Sequence, residues 1–272
     1  MTLIAHITDL HLRPRGLPCY RVSDTNMLAE RAIKALCALT PRPNAVVVTG
    51  DLTDRDDPRE YAVARRLLKM LPMPVYVLPG NHDSTEGMRT NLTDFPGVQS
   101  ADGEKLWYAA DIGGLRMIVL DSHDPGRPTG HIGQAQLEQT RKLVLIALHH
   151  PPAQTGIKHM DAMGLRDSAE LSAVLKGKTQ VKRILCGHVH RPIITEFAGT
   201  IMTLAPSTCH QVALDLTADG PAMFNFEPPA YFLHDMPEDG HVVTHTAYVE
   251  AFDGPCDFFA DEGIVWPGDE RP

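Results

Sequence analysis

Five apolar runs in this chain end abruptly in side chains that bind metals or move protons. Leu3–Thr8 leads into Asp9-Leu10-His11, and Ala45–Thr49 into Gly50-Asp51. Val75–Leu78 leads into Gly80-Asn81-His82-Asp83, Leu143–Leu148 into His149-His150, and Ile184–Leu185 towards Gly187-His188-Val189-His190. A β-branched run such as "AVVVT" belongs in a sheet buried on both faces, and open α/β sheets collect ligands just beyond the carboxyl ends of their strands. The pattern therefore predicts an α/β fold. It gathers Asp9, His11, Asp51, Asn81, His82, His149, His188 and His190 at one edge.

The segments between these runs read as helices in the first half of the chain. Residues Asp24 to Leu39 carry Met27, Leu28, Ala32, Ala35, Leu36 and Leu39 as one stripe, and Pro41 stops them. A second helix opens at Asp57-Pro58, with Glu60 placed to complete a capping box, and runs to about Leu71. "KLWYAADIGGLRMIVLDS" reads as a strand pair and Ser168–Leu175 as a short helix. From about residue 198 the pattern gives way to proline- and aromatic-rich sequence, then to a hairpin expected to turn at Asp239-Gly240. The division expected is a core over residues 1–197 and a C-terminal strand and loop elaboration over 198–272. That elaboration is expected to complete a second sheet and one wall of the pocket.

The donors define their own chemistry. Imidazole, carboxylate and one amide oxygen suit borderline or hard divalent ions such as Mn, Fe, Zn or Co, and there are enough for two. Asp-x-His and His-x-His put both donors on one side of an extended chain. Any one of these motifs is weak evidence, since a lone histidine is more often a core or surface residue. Five in order, each after an apolar run, is specific. Other polar residues are expected to stand behind the site: His6 on the far side of its strand, and Asp121, Ser122, His123 and His150 around it. Asp83 is expected to accept a hydrogen bond from His82 and fix its tautomer.

Composition narrows the partners. A net charge of −9 over 272 residues weighs against a surface that grips a nucleic acid polymer. No apolar run approaches the roughly 20 residues of a membrane helix, so no membrane partner is expected. "MTLIAHITDLH" lacks the basic opening of a secretory leader. Five scattered cysteines without CxxC spacing suit a reducing, cytoplasmic setting.

Taken together, D-x-H (Asp9, His11), G-D (Gly50, Asp51), G-N-H-D (Gly80 to Asp83), H (His149) and G-H-x-H (Gly187 to His190) resemble the signature of calcineurin-like metallophosphoesterases. "AHITDLHLRPRG", "AVVVTGDLTD", "EYAVARRLL" and "LHHPP" are similar to the bacterial class III cyclic nucleotide phosphodiesterases and the related glycerophosphodiesterases. The resemblance implies a four-layer α-β-β-α sandwich around two divalent ions. It implies Asp9, His11 and His190 on one ion, Asn81, His149 and His188 on the other, and Asp51 bridging both. His82 and Asn81 would sit at the substrate phosphoryl group, His210 would line the pocket, and subunits would associate through the C-terminal region. One departure is the short connection from Ser122 to Leu143, where the family has a longer helix and loop. The activity expected is hydrolysis of small phosphodiesters by in-line attack of a hydroxide shared by two ions, with His82 as general acid. The alternatives are a phosphomonoesterase with the same centre, or a non-catalytic scaffold, which ought to lack some of the donors.

Overall fold

A computed structural model describes residues 1–99, 104–139, 145–237 and 240–260. Two sheets form its middle. The first contains β1 (Thr2–Ile7), β2 (Ala45–Thr49), β3 (Val75–Leu78), β12 (Ala230–Met236) and β13 (Val243–Tyr248), in the order β13-β12-β1-β2-β3. The second contains β4 (Tyr108–Ile112), β5 (Leu115–Val119), β6 (Leu145–Ala147), β7 (Arg183–Cys186), β8 (Ile193–Phe197) and β9 (Thr200–Leu204), in the order β4-β5-β6-β7-β9-β8. Strands β1, β2 and β3 run parallel, with Ile7 opposite Val48 and Val48 opposite Val77. Strands β5, β6, β7 and β9 also run parallel, with Ala147 opposite Leu185.

Alternation along the second sheet shows why four layers form. Met117, Val119, Leu145, Ala147 and Leu185 join the core that contains the first sheet. Their neighbours Ile118, Leu120, Ile146, Leu148, Ile184 and Cys186 join a second core. Successive strand residues point to opposite faces, so the same strands feed both cores. The first core also takes Ala32, Ile33 and Leu36 of α1 (Thr25–Ala38), Tyr61, Ala64, Leu67 and Leu68 of α2 (Pro58–Leu68), and Met88 of α3 (Thr85–Asn91). The second takes Leu137 of α4 (Gln134–Gln139), Met160 of α5 (Lys158–Asp161), and Leu171 and Leu175 of α6 (Ser168–Leu175). The result is the α-β-β-α sandwich.

The strand pairing places both the run ends and the expected division. The five run ends lie at the edge of two facing sheets rather than one, because β1, β2 and β3 belong to the first and β6 and β7 to the second. The division expected at residue 198 falls in the tight turn between β8 and β9, where Phe197 pairs with Thr200. After that turn the chain serves both sheets: β9 lies between β7 and β8, whereas β12 pairs with β1 and β13 with β12. A small separate ribbon, β10 (Gln211–Val212) with β11 (Phe224–Asn225), lies between these contributions. Asp239 of the expected hairpin turn, Leu143 at the end of the short connection, and Trp266 of the aromatic C-terminal segment lie outside the described residues.

The cap of α2 also differs from the expectation. Asp57 accepts from the Arg59 N–H at 2.8 Å. Glu60 does not complete a capping box. Its carboxylate, almost fully buried, takes the Arg13 guanidinium at 2.8 Å and the Arg55 N–H at 2.8 Å. A buried carboxylate needs charge-assisted donors, and here the β1–α1 loop supplies Arg13 while the β2–α2 loop supplies the Arg55 amide.

Candidate metal centre

The loops after β1, β2, β3, β6 and β7 turn within one or two residues of the strand end. Asp9, His11, Asp51, His188 and His190 all have left-handed backbone, with φ of 54°, 42°, 49°, 71° and 52°. Each such non-glycine residue costs roughly 1–3 kcal/mol and persists only where its surroundings over-determine it. Here the surroundings are backbone bonds across loops: Asp9 N–H to Gly50 O at 3.1 Å, His11 N–H to Asp51 O at 2.9 Å, and Gly187 N–H to His149 O at 3.1 Å. Gly50 has φ of 93°, and a Cβ there would stand 2.6 Å from His149 Nδ1. Only glycine lets these loops close.

Two groups of donors result, buried except for the half-buried Asn81. In one, the donor atoms of Asp9, His11, Asp51 and His190 all lie within 4.8 Å of one another. His11 Nε2 is 3.0 Å from His190 Nε2 and 3.6 Å from Asp51 Oδ2, while His190 Nε2 is 3.3 Å from Asp9 Oδ1. In the other, His149 Nε2 lies 3.1 Å from Asn81 Oδ1, 3.2 Å from His188 Nδ1 and 3.4 Å from Asp51 Oδ2. One oxygen of Asp51 faces both groups.

The protons show what such a cluster needs. His149 Nδ1 lies 2.7 Å from the Thr49 carbonyl, and His190 Nδ1 lies 3.1 Å from the His210 carbonyl. A carbonyl only accepts, so both rings carry their proton on Nδ1 and aim an Nε2 lone pair inward. Each lone pair then meets carboxylate oxygens, another imidazole or an amide oxygen. Acceptors crowded on acceptors away from water are unfavourable unless they share cations. Without cations a second proton relieves the same crowding: burial opposes the charged form of His149, yet Asp51 and Asp9 push that imidazole up to about 9, and a bound cation would take the place of that proton on Nε2. Burial likewise opposes the Asp9 carboxylate, but His190 beside it holds the carboxyl down at about 2. His188, dominated by burial with His149 adding to it, is pushed down to about 3. The donor set thus fits two divalent ions of borderline or hard character, with no thiolate among the ligands.

His82 belongs to neither group around Asp51 but lies beside them, its ring 4.7 Å from that of His11 and its ligand atom within 4.8 Å of those of His11 and Asp54. Its backbone N–H donates to Asp51 Oδ1 at 2.9 Å, and its Nδ1 lies 2.8 Å from the Asp54 carbonyl. That leaves Nε2 for the cavity the ring lines. Burial opposes its protonation, but Asp51 and Asp54 outweigh that and raise the imidazole above its ordinary range.

The expected bond from His82 to Asp83 does not form. Adjacent residues point in different directions, and the Asp83 carboxylate turns inward. There it accepts from Leu52 N–H at 3.0 Å, Thr53 N–H at 2.9 Å, Thr53 Oγ1 at 2.8 Å and Gly80 N–H at 3.1 Å. It laces the β2 and β3 loops together, and Asp54 takes the tautomer-fixing role. Asp54 also lies 3.6 Å from His11 Nδ1 and accepts from Arg13 at 2.8 Å. The signal for it was an acid three residues after Asp51, in "GDLTD".

Other expected residues fall into place behind or beside the donors. His6 faces Thr49 Oγ1 at 2.8 Å and His234 at 3.3 Å, away from the donor groups. His150 Nδ1 takes Ser122 Oγ at 2.8 Å, its Nε2 reaches the Pro128 carbonyl at 3.2 Å, and its ring backs His188. Asp121 accepts from Thr85 Oγ1 and Leu106 N–H, each at 2.7 Å, as well as the His123 N–H at 2.9 Å. His210 packs on His190 at 4.8 Å between ring centroids and on Phe224 at 4.8 Å. Burial, with His190 and His11 nearby, pushes His210 down to about 2. A cavity of about 440 Å³ opens above the donors, with His11, Asp51, Asn81, His82, His188, His190 and His210 in its lining. Its apolar side includes Met223 and Phe224 of the expected C-terminal wall, together with Tyr20, which nothing local in the sequence marks as pocket lining.

A four-layer sandwich whose strand ends hold two donor groups around one shared aspartate defines a metallophosphoesterase. The chain belongs to the calcineurin-like phosphoesterase family, which matches residues 2–192. It is 34% identical to a probable glycerophosphodiester phosphodiesterase, GpdQ, of Arcobacter nitrofigilis, over 96% of this chain and 98% of that one. It is 32% identical to a cAMP/cGMP dual specificity phosphodiesterase of Mycobacterium tuberculosis, over 80% of this chain and 71% of that one. Its fold is similar to that of a dimetal phosphatase from Danio rerio, with a TM-score of 0.65 and 15% identity over 92% of this chain and 99% of that one.

Proposed function

We propose that the chain is a dinuclear metal-dependent phosphodiesterase acting on small phosphodiesters. The observation that carries this is the Asp51 carboxylate, one oxygen of which faces His11 at 3.6 Å and His149 at 3.4 Å beneath an open cavity. Asp9, His11 and His190 form one ligand set, Asn81, His149 and His188 the other, and Asp51 serves both. Divalent ions bound by these residues would lower the pKa of a water and would stabilise negative charge on the phosphoryl group. The chain's own groups do the rest. The Asp54 carbonyl fixes the His82 proton on Nδ1 while Asp51 and Asp54 favour a second proton, and that imidazolium donates from Nε2 to a phosphoryl oxygen or to the departing alkoxide. Asp83 holds the loops that set His82 against Asp51. His210 borders the space for the alcohol.

All seven donors are present, six of them buried and Asn81 half-buried, which weighs against a scaffold that has lost catalysis. The diesters named for the two relatives are glycerophosphodiesters and cyclic nucleotides, and both classes remain substrates to test here. The net charge of −9 favours a small substrate over a nucleic acid polymer. Five free thiols fit a reducing cytoplasm. Tyr248, Phe252, Phe258 and Phe259 stand exposed in the C-terminal segment, which supports association of subunits there.

The test is metal content and turnover on one preparation, reconstituted separately with Mn, Fe, Zn or Co. About two ions per chain and chelator-sensitive hydrolysis of bis(p-nitrophenyl) phosphate, faster than of p-nitrophenyl phosphate, is the expected result. Unchanged activity after thorough chelation refutes it, and faster monoester turnover favours the phosphomonoesterase.

A further inference from the structure

The cavity above the donors has a floor and a wall of opposite character. The floor is imidazole, carboxylate and amide. The wall is built from Met160, Met163, Met223, Phe224 and Tyr20, with smaller apolar residues between them. Outside the donor groups, His82 and His210, the Tyr20 hydroxyl and the His159 ring are the polar side-chain groups of the lining. No lysine, arginine, serine, threonine or glutamine is among its described residues.

The aromatic part of the wall is continuous with the metal centre. His190 meets His210, His210 meets Phe224 at 4.8 Å, and Phe224 meets Tyr20 at 5.3 Å with the two rings tilted by 36°. Phe226 continues the series edge-on at 5.8 Å. The outer members are half or more exposed, Tyr20 at 50% and Met223 and Phe226 each at 59%. An apolar shelf left open beside a phosphoryl site is a surface for part of the ligand.

We infer that this shelf selects diesters by their alcohol, taking a flat aromatic group such as a nucleoside or aryl in preference to an open-chain polyol. The inference rests on the diesterase reading and divides the two substrate classes left open there. A glyceryl group brings hydroxyls that lose water against methionine and phenylalanine and find few partners in return. A base or aryl ring loses little on leaving water and stacks on Phe224 and Tyr20. Base stacking on one aromatic side chain contributes roughly 5- to 150-fold in affinity by alanine substitution. A choline group is the other candidate, since aromatic rings attract quaternary ammonium. That recognition needs rings arranged as a cup around the cation. Tyr20 and Phe224 lie against each other instead and offer a stack.

The test keeps one leaving group and changes only the second alcohol. Metal-loaded protein is assayed on p-nitrophenyl diesters whose other alcohol is methyl, glyceryl, cholinyl, phenyl or thymidin-5′-yl. The expected kcat/KM for the phenyl and thymidinyl esters exceeds that of the glyceryl and cholinyl esters by about 5-fold or more. The ratio of phenyl to methyl ester falls by a similar factor in Phe224→Leu, and less in the more exposed Tyr20→Leu. Calorimetric binding of phenyl phosphate, AMP and glycerol 3-phosphate to the same protein gives a readout independent of turnover. If no diester is hydrolysed but the ring-bearing phosphates bind more tightly, the diesterase reading fails and the shelf stands. Equal or better use of the glyceryl or cholinyl ester, or ratios unmoved in both variants, overturns the inference.

Discussion

Replacing His82 with alanine removes an imidazole whose hydrogen bond among the described residues runs from Nδ1 to the Asp54 carbonyl at 2.8 Å, with its ring edge-on to His11. Neither ring nitrogen belongs to the two groups of donors around Asp51, so His82→Ala should retain both ions. The fold should lose little, because one half-buried hydrogen bond contributes about 1 kcal/mol and shifts Tm by roughly 2–4 °C in a chain of this size. Rate is where the loss falls. Removing a positioned acid or donor costs about 10²–10⁴ in kcat, equivalent to roughly 2.7–5.5 kcal/mol of barrier. The loss should be larger for an alkyl diester than for a p-nitrophenyl diester, whose leaving group needs little protonation. Metal content by elemental analysis, Tm and kcat are measured on one preparation with both substrates. Metal loss in step with rate would move His82 into the ligand shell. Equal losses on both substrates would remove its role as acid and leave only charge stabilisation.

Asp51→Ala should be the most damaging single substitution, because it removes a donor from both groups and the acceptor for the His82 N–H; near-normal metal content and rate would refute the bridging role. The buried pair His6 and His234 makes metal-free protein acid-sensitive. Burial pushes His6 down to about 3, whereas the unfolded chain holds histidine near 6.5, so the unfolded state binds the proton first and stability is lost as pH falls. His6 alone should remove about 2 kcal/mol between pH 7 and pH 5. Denaturant titrations of His6→Gln should show a pH slope flatter by close to one proton, and an unchanged slope would show that His6 is not buried neutral. Sizing with light scattering should find more than one chain per particle, and Phe252→Ser with Phe258→Ser should shift it towards monomer; a monomeric wild type rules out the proposed association.

How much of this was legible depended on the range of the interaction. Strand ends carrying Asp9, Asp51, Asn81, His149 and His190 could be read locally, because an apolar run that ends in donors, with glycine ahead of Asp51, Asn81 and His188, is a short pattern. The span of α6 was local too, whereas the stripe expected on α1 was rotated: Thr25, Ala29, Ala32, Ile33 and Leu36 are buried and Met27 is exposed. The second sheet was not, since nothing within "LVLIALHH" says which strand it will neighbour. The aromatic shelf brings Tyr20 against Phe224 from opposite ends of the chain, so periodicity could not find it. Glu60 and Asp83 show a different limit. Both were given the partner nearest in sequence, a helix cap and His82, but a buried carboxylate goes to whatever donors the fold brings to it. For these two, Arg13 and the Leu52 and Thr53 amides won.

The pairing of β1 with β12 has a consequence for synthesis. Ile4 lies opposite His234, so the first strand made receives its outer neighbour only when the chain is nearly finished. At about 5–20 residues per second, the intervening segment takes roughly 10–50 s to emerge. Through that interval one side of β1 presents unpaired amides and carbonyls on an apolar strand, the kind of edge that recruits a second nascent chain. Chaperone demand should therefore concentrate late in translation and subside once Ala230–Met236 has docked. Ribosome-bound chains halted before residue 230 should stay protease-sensitive even though every donor around Asp51 has already been made.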